Sequence, residues 1–194
     1  MNVYCAGPLF NDAERSEMKQ ISDFLEQRHH RTFLPQRDGL EFAKLHPEFR
    51  GRELDAKQAE SVLARAIFSL DVYKLLSWSD VVVANLNGRV ADEGTVVEAA
   101  LAWHSGKVLV LFKSDARSML NGFDNPMLTG LGNFVVCSRI NDLDRAISEA
   151  MERHDPDRVS AVTSLGEMIS DTKARNGGLD EMVGMLSENI QPVV

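Results

Sequence analysis

The stretch SDVVVANL at residues 79–86 decides the fold class. Its apolar residues form a continuous run instead of alternating with polar ones, which predicts a strand buried on both faces. The run VLVLF at residues 108–112 has the same character. Strands of this kind occur in parallel sheets that are covered by helices on both sides, so the two runs predict an α/β domain.

Short β-branched runs alternate with helical patterns over the first 150 residues or so. The predicted strands are 2–6, 32–34, 81–86, 108–112 and 134–136, and the predicted helices are 12–29, 54–77, 95–104 and 143–154. This order predicts a doubly wound parallel sheet of about five strands with helices on both faces. Segment 35–53 contains two Pro and two Gly residues, segment 113–133 contains several Asn and Gly residues with Pro126, and both are predicted to be long connections, which often carry function.

The alternation stops at Asp155-Pro156. We therefore expect one domain over residues 1–154. Residues 155–194 have amphipathic helical patterns and are predicted to form a helical C-terminal extension, which either caps the domain or packs on a partner subunit in an oligomer.

Composition excludes several classes of function. The chain has 194 residues, of which 44% are hydrophobic and 26% charged, and its formal net charge is −8. Proteins that bind nucleic acid rely on clustered Lys and Arg, so we expect no such partner. No apolar run approaches the roughly 20 residues that cross a bilayer, and Met1–Tyr4 lacks the basic region of a secretory signal, so we expect a cytoplasmic protein with no membrane partner. Cys5 and Cys137 lack zinc-ligand spacing and are predicted to be buried.

The segment ADEGTVVEAALAW at residues 91–103 carries three acids around a predicted helix start. Gly94 permits a tight turn, Thr95 is the predicted N-cap, and Glu98 falls in the first turn. The helix amino end favours an ionised carboxylate, which suits a nucleophile. The same Thr95-x-x-Glu98 spacing is also a capping box, in which Glu98 only bonds its own backbone. Metal ligation by acids of this segment is not specified by their spacing, and no metal site is predicted.

Two further residues are candidates for chemistry. Asp71 interrupts the apolar stretch AIFSLDVYKLL and either faces the surface or lies paired in a cleft. Tyr4, in the first strand, either packs in the core or uses its hydroxyl to orient a carboxylate at the strand end.

Two connections at the carboxyl ends of strands are candidates for binding. In VYCAGPLF at residues 3–10, Gly7 either allows a ligand to approach the backbone or, with Pro8, only makes a turn before Phe10. Asn125, which precedes Pro126, either presents its amide to a ligand or starts a turn.

Four segments taken in order resemble the nucleoside 2-deoxyribosyltransferases over about residues 2–150. They are VYCAGPLF (3–10), LDVYKLLSWSDVVVANLNG (70–88), DEGTVVEAALAWHSGKVLVLF (92–112) and NPML (125–128). The resemblance implies a flavodoxin-like fold and homodimers or higher homo-oligomers.

The resemblance also implies roles for the candidate residues. Glu98 would be the nucleophile, oriented by Tyr4, while Asp71 and Asp92 would contact the base or help to protonate it. Asn125 would enter the site of a neighbouring subunit and hold the 5′ end of the sugar. The substrate would also contact the chain at Gly7, Pro8, Phe10 and Gly94.

These expectations define one main function and two alternatives. The main one is transfer of 2-deoxyribose between nucleobases through a covalent ester on Glu98, without metal or cofactor. The alternatives are hydrolysis of the same bond in nucleosides or nucleotides, and a non-catalytic sensor of a nucleotide or ADP-ribose-like ligand. Relatives that hydrolyse nucleoside 5′-monophosphates carry a Gly-Ser-Ile-Arg-Gly-Gly-like phosphate loop after the first strand. This chain has Gly7–Phe10 there, so unphosphorylated nucleosides are expected.

Overall fold

The computed structural model describes residues 1–49, 55–88, 90–115, 124–175 and 178–190. Within them lies one sheet of five strands, all parallel, in the order β2-β1-β3-β4-β5. The strands are β1 Asn2–Ala6, β2 Arg31–Phe33, β3 Val81–Asn85, β4 Val108–Phe112 and β5 Val136–Cys137. This order and the helices around it confirm the predicted doubly wound, flavodoxin-like α/β fold.

The helices connect these strands and continue beyond the sheet. They are α1 Asp12–Glu26, α2 Pro35–Asp38, α3 Phe42–Phe49, α4 Ala56–Tyr73, α5 Glu93–His104, α6 Pro126–Thr129, α7 Leu143–Glu152, α8 Arg158–Ala174 and α9 Leu179–Asn189. A π-helical turn, Lys74–Trp78, follows α4 directly, and short 3₁₀ turns span Gly130–Gly132 and Ile140–Asp142.

The sheet divides the core into two apolar clusters, as the continuous apolar strands predict. All five residues of β3 are buried, and successive residues of β1 alternate between the clusters. Val3 and Cys5 pack with α1 and α7 on one face, while Tyr4 and Ala6 pack with α5 and the π-helical turn on the other. Tyr4 therefore points towards the helix that carries Glu98.

Several predicted boundaries were wrong. Helix α1 ends at Glu26, three residues before His29, which has a left-handed backbone with φ 64°. Strand β5 begins at Val136 because Phe134, predicted to be its first residue, also has positive φ, at 60°. Helix α4 begins at Ala56, and Leu54, its predicted start, lies outside the described residues.

The predicted long connections contain helices. Pro35 begins α2, where a proline fits because the first turn needs no N–H from it, and Pro47 lies inside α3. In the second connection the described residues include α6 and the 3₁₀ turn, while 116–123 lie outside the described residues.

The chain forms two compact units, Met1–Arg153 and His154–Val194. The first contains the sheet and both core clusters, and the second contains α8 and α9. The oligomerisation role of the second unit stays a prediction. Among the described residues, no helix combines the length and the apolar character that spanning a membrane would require.

Close packing against α1 leaves no room for a side chain at Gly7, which follows β1. A Cβ atom at this position would lie 2.1 Å from Met18 Sδ and 3.2 Å from Asn85 Cβ. Met18 is fully buried, so its side chain has little room to move away.

We expect Gly7→Ala to lower the free energy of unfolding by about 1–3 kcal/mol through this overlap. Because Met18 supplies the clash, the same substitution should cost at least about 1 kcal/mol less in a Met18→Ala background. Urea denaturation of the four proteins measures both costs. An equal cost in the two backgrounds would contradict the explanation.

Candidate active site

Glu98 lies in the second turn of α5, and its local contacts exclude the capping box. The N-cap of α5 is Asp92, not Thr95, and the helix begins at Glu93, two residues before its predicted start. The Asp92 carboxylate accepts hydrogen bonds from the Thr95 backbone N–H at 2.8 Å and the Thr95 hydroxyl at 2.9 Å. Glu98 is therefore not needed to cap the helix, and its side chain points elsewhere.

Tyr4 donates a hydrogen bond from its hydroxyl to Glu98 Oε1, with the two oxygens 2.5 Å apart. The tyrosine is fully buried in the middle of β1, while Glu98 is partly buried. Residues 4 and 98 are thus joined across the interface between the sheet and α5. This contact supports the orienting interpretation of Tyr4 at the level of geometry.

Asp71 lies in the last turn of α4 and is partly buried. Burial raises the pKa of its carboxyl group to about 6. The charge of Asp71 also raises the pKa values of Tyr4 and Glu98, which places the three side chains in one electrostatic cluster. Of the two interpretations of Asp71, the structure favours the partly buried acid near the other candidates.

The environment of Glu98 was not foreseen from its sequence position. Burial, together with the negative charges of Asp71 and Asp92, raises the pKa of Glu98 to about 7, although the Tyr4 hydrogen bond lowers it. The expectation that the helix amino end keeps this carboxylate ionised was wrong, because Glu98 lies beyond the first turn and burial disfavours the charge. Burial and Glu98 raise the pKa of Tyr4, so the tyrosine remains a hydrogen-bond donor.

Gly94 leaves room for the capping carboxylate. A Cβ atom there would lie 3.1 Å from Asp92 Oδ2, closer than most such contacts. This contact with Asp92 is enough to explain why residue 94 is a glycine. A contact between Gly94 and a substrate stays a prediction.

The connection after β1 is held in place by α1. The Phe10 N–H donates to Glu14 at 2.8 Å, and Arg15 donates to the Leu9 carbonyl at 2.8 Å. Gly7 and Pro8 are buried, whereas the Phe10 side chain is 80% exposed at the end of this connection. These contacts support the turn interpretation, and substrate binding by Gly7, Pro8 and Phe10 stays a prediction.

Asn125 is the N-cap of the short helix α6, and its side chain accepts a hydrogen bond from the Met127 N–H at 3.0 Å. It is exposed, as is the neighbouring Met127. Within the described residues no hydrogen bond connects Asn125 with Tyr4 or Glu98. Its role in a neighbouring subunit stays a prediction.

A polar network that lies at the carboxyl ends of β3 and β4 was not predicted from the sequence. Asn85 is fully buried and donates to Glu17 at 2.9 Å, and Asn87 donates to the same carboxylate at 2.7 Å. Asn87 also accepts hydrogen bonds from the backbone N–H groups of Ser114 and Asp115. The available signal was Asn85 itself, a polar residue in an otherwise apolar strand, because a buried amide needs partners.

No group of three or more His, Cys, Asp or Glu residues in the described part of the chain has the geometry to hold a metal ion.

Comparison with known proteins identifies the family. The family model for nucleoside 2-deoxyribosyltransferases matches residues 3–179. The chain belongs to the nucleoside 2-deoxyribosyltransferase family. The match continues beyond residue 150, where the resemblance detected in the sequence ended. This family is a class of glycosyl-transferring enzymes.

Solved structures with the same fold are distant in sequence. A conserved protein from Enterococcus faecalis V583 is 22% identical with a TM-score of 0.56, and the alignment covers 77% of this chain and 98% of that one. A 2-deoxyribosyltransferase from Bacillus psychrosaccharolyticus is 21% identical with a TM-score of 0.52, and the alignment covers 74% and 90%. No curated protein matches the chain significantly.

The raised pKa of Glu98 predicts a pH-dependent cost to stability. The unfolded chain releases this proton near the ordinary value of 4.5, whereas the folded protein holds it until about pH 7. Between these values the folded state binds more protons, so stability falls as pH rises, and the loss is complete above pH 7.

Glu98→Gln removes this ionisation. We therefore expect the stability of the variant relative to the native protein to rise by about 1–3 kcal/mol between about pH 4.5 and pH 8. Urea denaturation across that range measures it, and Glu93→Gln, an exposed position in the same helix, controls for the change in helix charge. A difference that does not vary with pH would contradict the buried environment of Glu98.

Proposed function

We propose that this protein transfers 2-deoxyribose between nucleobases, with Glu98 as the nucleophile. The observation that carries the proposal is the 2.5 Å hydrogen bond from Tyr4 to Glu98 within a partly buried group of acids. The cluster stands near the amino end of α5, in the connection from β3 to β4, where ligands bind in doubly wound folds. The bond uses one Glu98 oxygen, and the other oxygen would be the one that attacks the sugar.

The proposed reaction is a double displacement. As the bond between C1′ and the base nitrogen breaks, positive charge develops on C1′, and the Glu98 carboxylate stabilises it before closing an ester. The bonding electrons leave with the base, which takes up a proton. An acceptor base then attacks C1′, loses its proton and releases Glu98. Two inversions give net retention, as in retaining glycosidases.

Asp71 is better suited than Asp92 to exchange that proton. The Asp92 carboxylate is occupied as the N-cap of α5, where it accepts two hydrogen bonds. Asp71, in contrast, has a pKa raised to about 6 by burial, so part of it is protonated near neutral pH. A general acid works best when its pKa lies near the working pH.

The hydrogen bonds at the amino end of α1 favour an unphosphorylated substrate over a phosphorylated one. Phosphate groups bind at helix amino ends because N–H groups and partial positive charge converge there. In this chain the Asn11 side chain caps α1, and the first turn carries Asp12 and Glu14. Glu14 also occupies the Phe10 N–H. Two of the N–H groups that a phosphate could use, those of Phe10 and Glu14, are therefore already bonded to the side chains of Glu14 and Asn11.

We expect the protein, given a deoxynucleoside and a different free base, to produce the exchanged nucleoside. Glu98→Gln should lower kcat at least about a thousandfold while substrate affinity stays within several-fold, because the lost oxygen acts in bond formation. Glu93→Gln is the matched control and should remain active. Chromatography of the products measures exchange, and calorimetry measures affinity.

The outcomes separate the competing functions. Release of free base and deoxyribose at the same rate with and without an acceptor base would identify a hydrolase. Binding without any turnover would identify a sensor. Full activity in Glu98→Gln would reject Glu98 as the nucleophile.

We also propose that the protein forms homo-oligomers in which Asn125 contributes to the site of a neighbouring subunit. The exposure of Asn125 and Met127 on α6 supports this arrangement. Hybrids of Glu98→Gln and Asn125→Ala chains, co-expressed with different tags, test it. One site of each hybrid would contain both native residues if Asn125 acts in trans, so activity should return relative to either parent. Hybrids as inactive as the parents would exclude the trans role.

A further inference from the structure

We propose that Phe33 is a positioning residue for Glu98 and acts through the ring of Tyr4. The proposal rests on the nucleophilic role of Glu98 proposed above, but it concerns a residue outside the acid cluster. Phe33 is 2% exposed and ends β2, the edge strand of the sheet.

Strand pairing brings the two rings together. Tyr4 and Phe33 are direct partners in the parallel register of β1 and β2, so their side chains leave the same face of the sheet. Their ring centroids lie 5.5 Å apart with an angle of 25° between the planes, a stacked arrangement. The Phe33 ring therefore limits how far the Tyr4 ring can tilt towards the edge of the sheet.

The contact made by Tyr4 is sensitive to such a tilt. Its hydroxyl is at the far end of the ring, so a small rotation near the backbone displaces the oxygen by a larger distance. Hydrogen bonds weaken steeply as distance and angle depart from the preferred range. The bond to Glu98 crosses from the sheet to α5, so it persists only while the ring holds its angle.

The outer side of Phe33 is covered by the π-helical turn. Trp78 meets the Phe33 ring edge-on at 6.4 Å, and Lys74 Nζ lies 5.1 Å from the Phe33 centroid and 4.6 Å from that of Trp78. All three residues line an open groove of ≈ 470 Å³ at the β2 edge. Cation–π contacts of this kind stabilise the stack, and π-helical turns are frequent at functional sites.

The same segment also sets the position of Asp71. The Lys74 N–H donates to the carbonyl groups of Asp71 and Leu70, so the π-helical turn continues directly from the last turn of α4. The aromatic stack and the candidate proton donor are thus held by one stretch of chain.

The direction of the expected shift in the pKa of Glu98 follows from the titratable groups that face it. These are Tyr4 from β1, Asp71 from α4, and Asp92 from its own helix. Burial and the two aspartates raise the pKa of Glu98, and the Tyr4 hydrogen bond lowers it. A looser Tyr4 ring weakens the only one of these contacts that favours the carboxylate, so Glu98 would ionise at a higher pH.

Phe33→Leu removes the ring and keeps an apolar side chain. We expect the acid limb of the kcat/KM profile to move up by about half a pH unit or more, with a lower kcat and a similar KM. Tyr4→Phe should move it in the same direction and at least as far. Phe112→Leu is the matched control, because Phe112 is a buried strand phenylalanine that packs in the cluster on the opposite face of the sheet.

A second readout needs no substrate. Carbon-13 NMR of labelled glutamate carboxyl groups, with Glu98→Gln to assign the signal, follows the titration of Glu98 directly. An upward shift in Phe33→Leu but not in Phe112→Leu supports the positioning role even if the native protein exchanges no bases, which would reject the proposed function alone. Unchanged titration of Glu98 in a folded Phe33→Leu protein would overturn the inference.

If Phe33→Leu does not fold, the titration of Glu98 in Trp78→Leu tests the proposal instead. Trp78 is only partly buried, and its ring meets that of Phe33 edge-on. The titration of Glu98 should then shift in the same direction by a smaller amount, and an unchanged titration would overturn the proposal.

Discussion

The hydrogen bond between Tyr4 and Glu98 is the constraint on which the candidate site depends. It joins a residue in the middle of a buried strand to a residue on a helix that follows another strand, so neither partner can be placed by local sequence alone. A partly buried carboxylate beside two other acids is costly unless a donor satisfies it. Tyr4 is that donor, and its own raised pKa keeps the proton on the phenol.

The three acids of the candidate site, Asp71, Asp92 and Glu98, differ because their surroundings differ. Asp92 caps α5 and is held by the Thr95 backbone and hydroxyl, so it serves the helix as well as the site. Asp71 lies at the end of α4, where burial disfavours its charge. Burial and two negatively charged neighbours both disfavour the ionisation of Glu98. Asp71 and Glu98 thus owe their raised pKa values to the elements that bury them, and in the proposed reaction they would serve as acid and nucleophile.

Sequence reasoning predicted the sheet well because the signal is long and simple. Continuous apolar runs such as 81–86 and 108–112 exclude a half-exposed strand, and their alternation with helices leaves few topologies. Boundaries were less certain. Asp92, Glu93 and Thr95 are all acceptable residues near a helix start, so the pattern did not distinguish the N-cap from its neighbours.

Sequence reasoning identified the residues of the acid cluster as candidates but did not predict their electrostatics. Tyr4, Asp71 and Glu98 stand out as residue types, and the structure brings them together. The pKa of Glu98 depends on how much protein covers it, which is a property of the folded chain. The contribution of Phe33 was hidden for the same reason, since a phenylalanine in a strand is the commonest kind of core residue and only the register of β1 and β2 reveals its partner.

A raised pKa is compatible with a nucleophile when the reaction is considered as a whole. Burial disfavours the Glu98 anion in the free protein, and in the proposed reaction this cost would be relieved as positive charge develops on the sugar carbon. The interaction is then stronger in the transition state than in the ground state, which is the condition for acceleration. A fully solvated carboxylate would ionise more easily, yet water would stabilise it equally in both states. The Tyr4 hydrogen bond lowers the pKa of Glu98, so in the proposed reaction it would favour the ionised nucleophile near neutral pH while Glu98 stays partly buried.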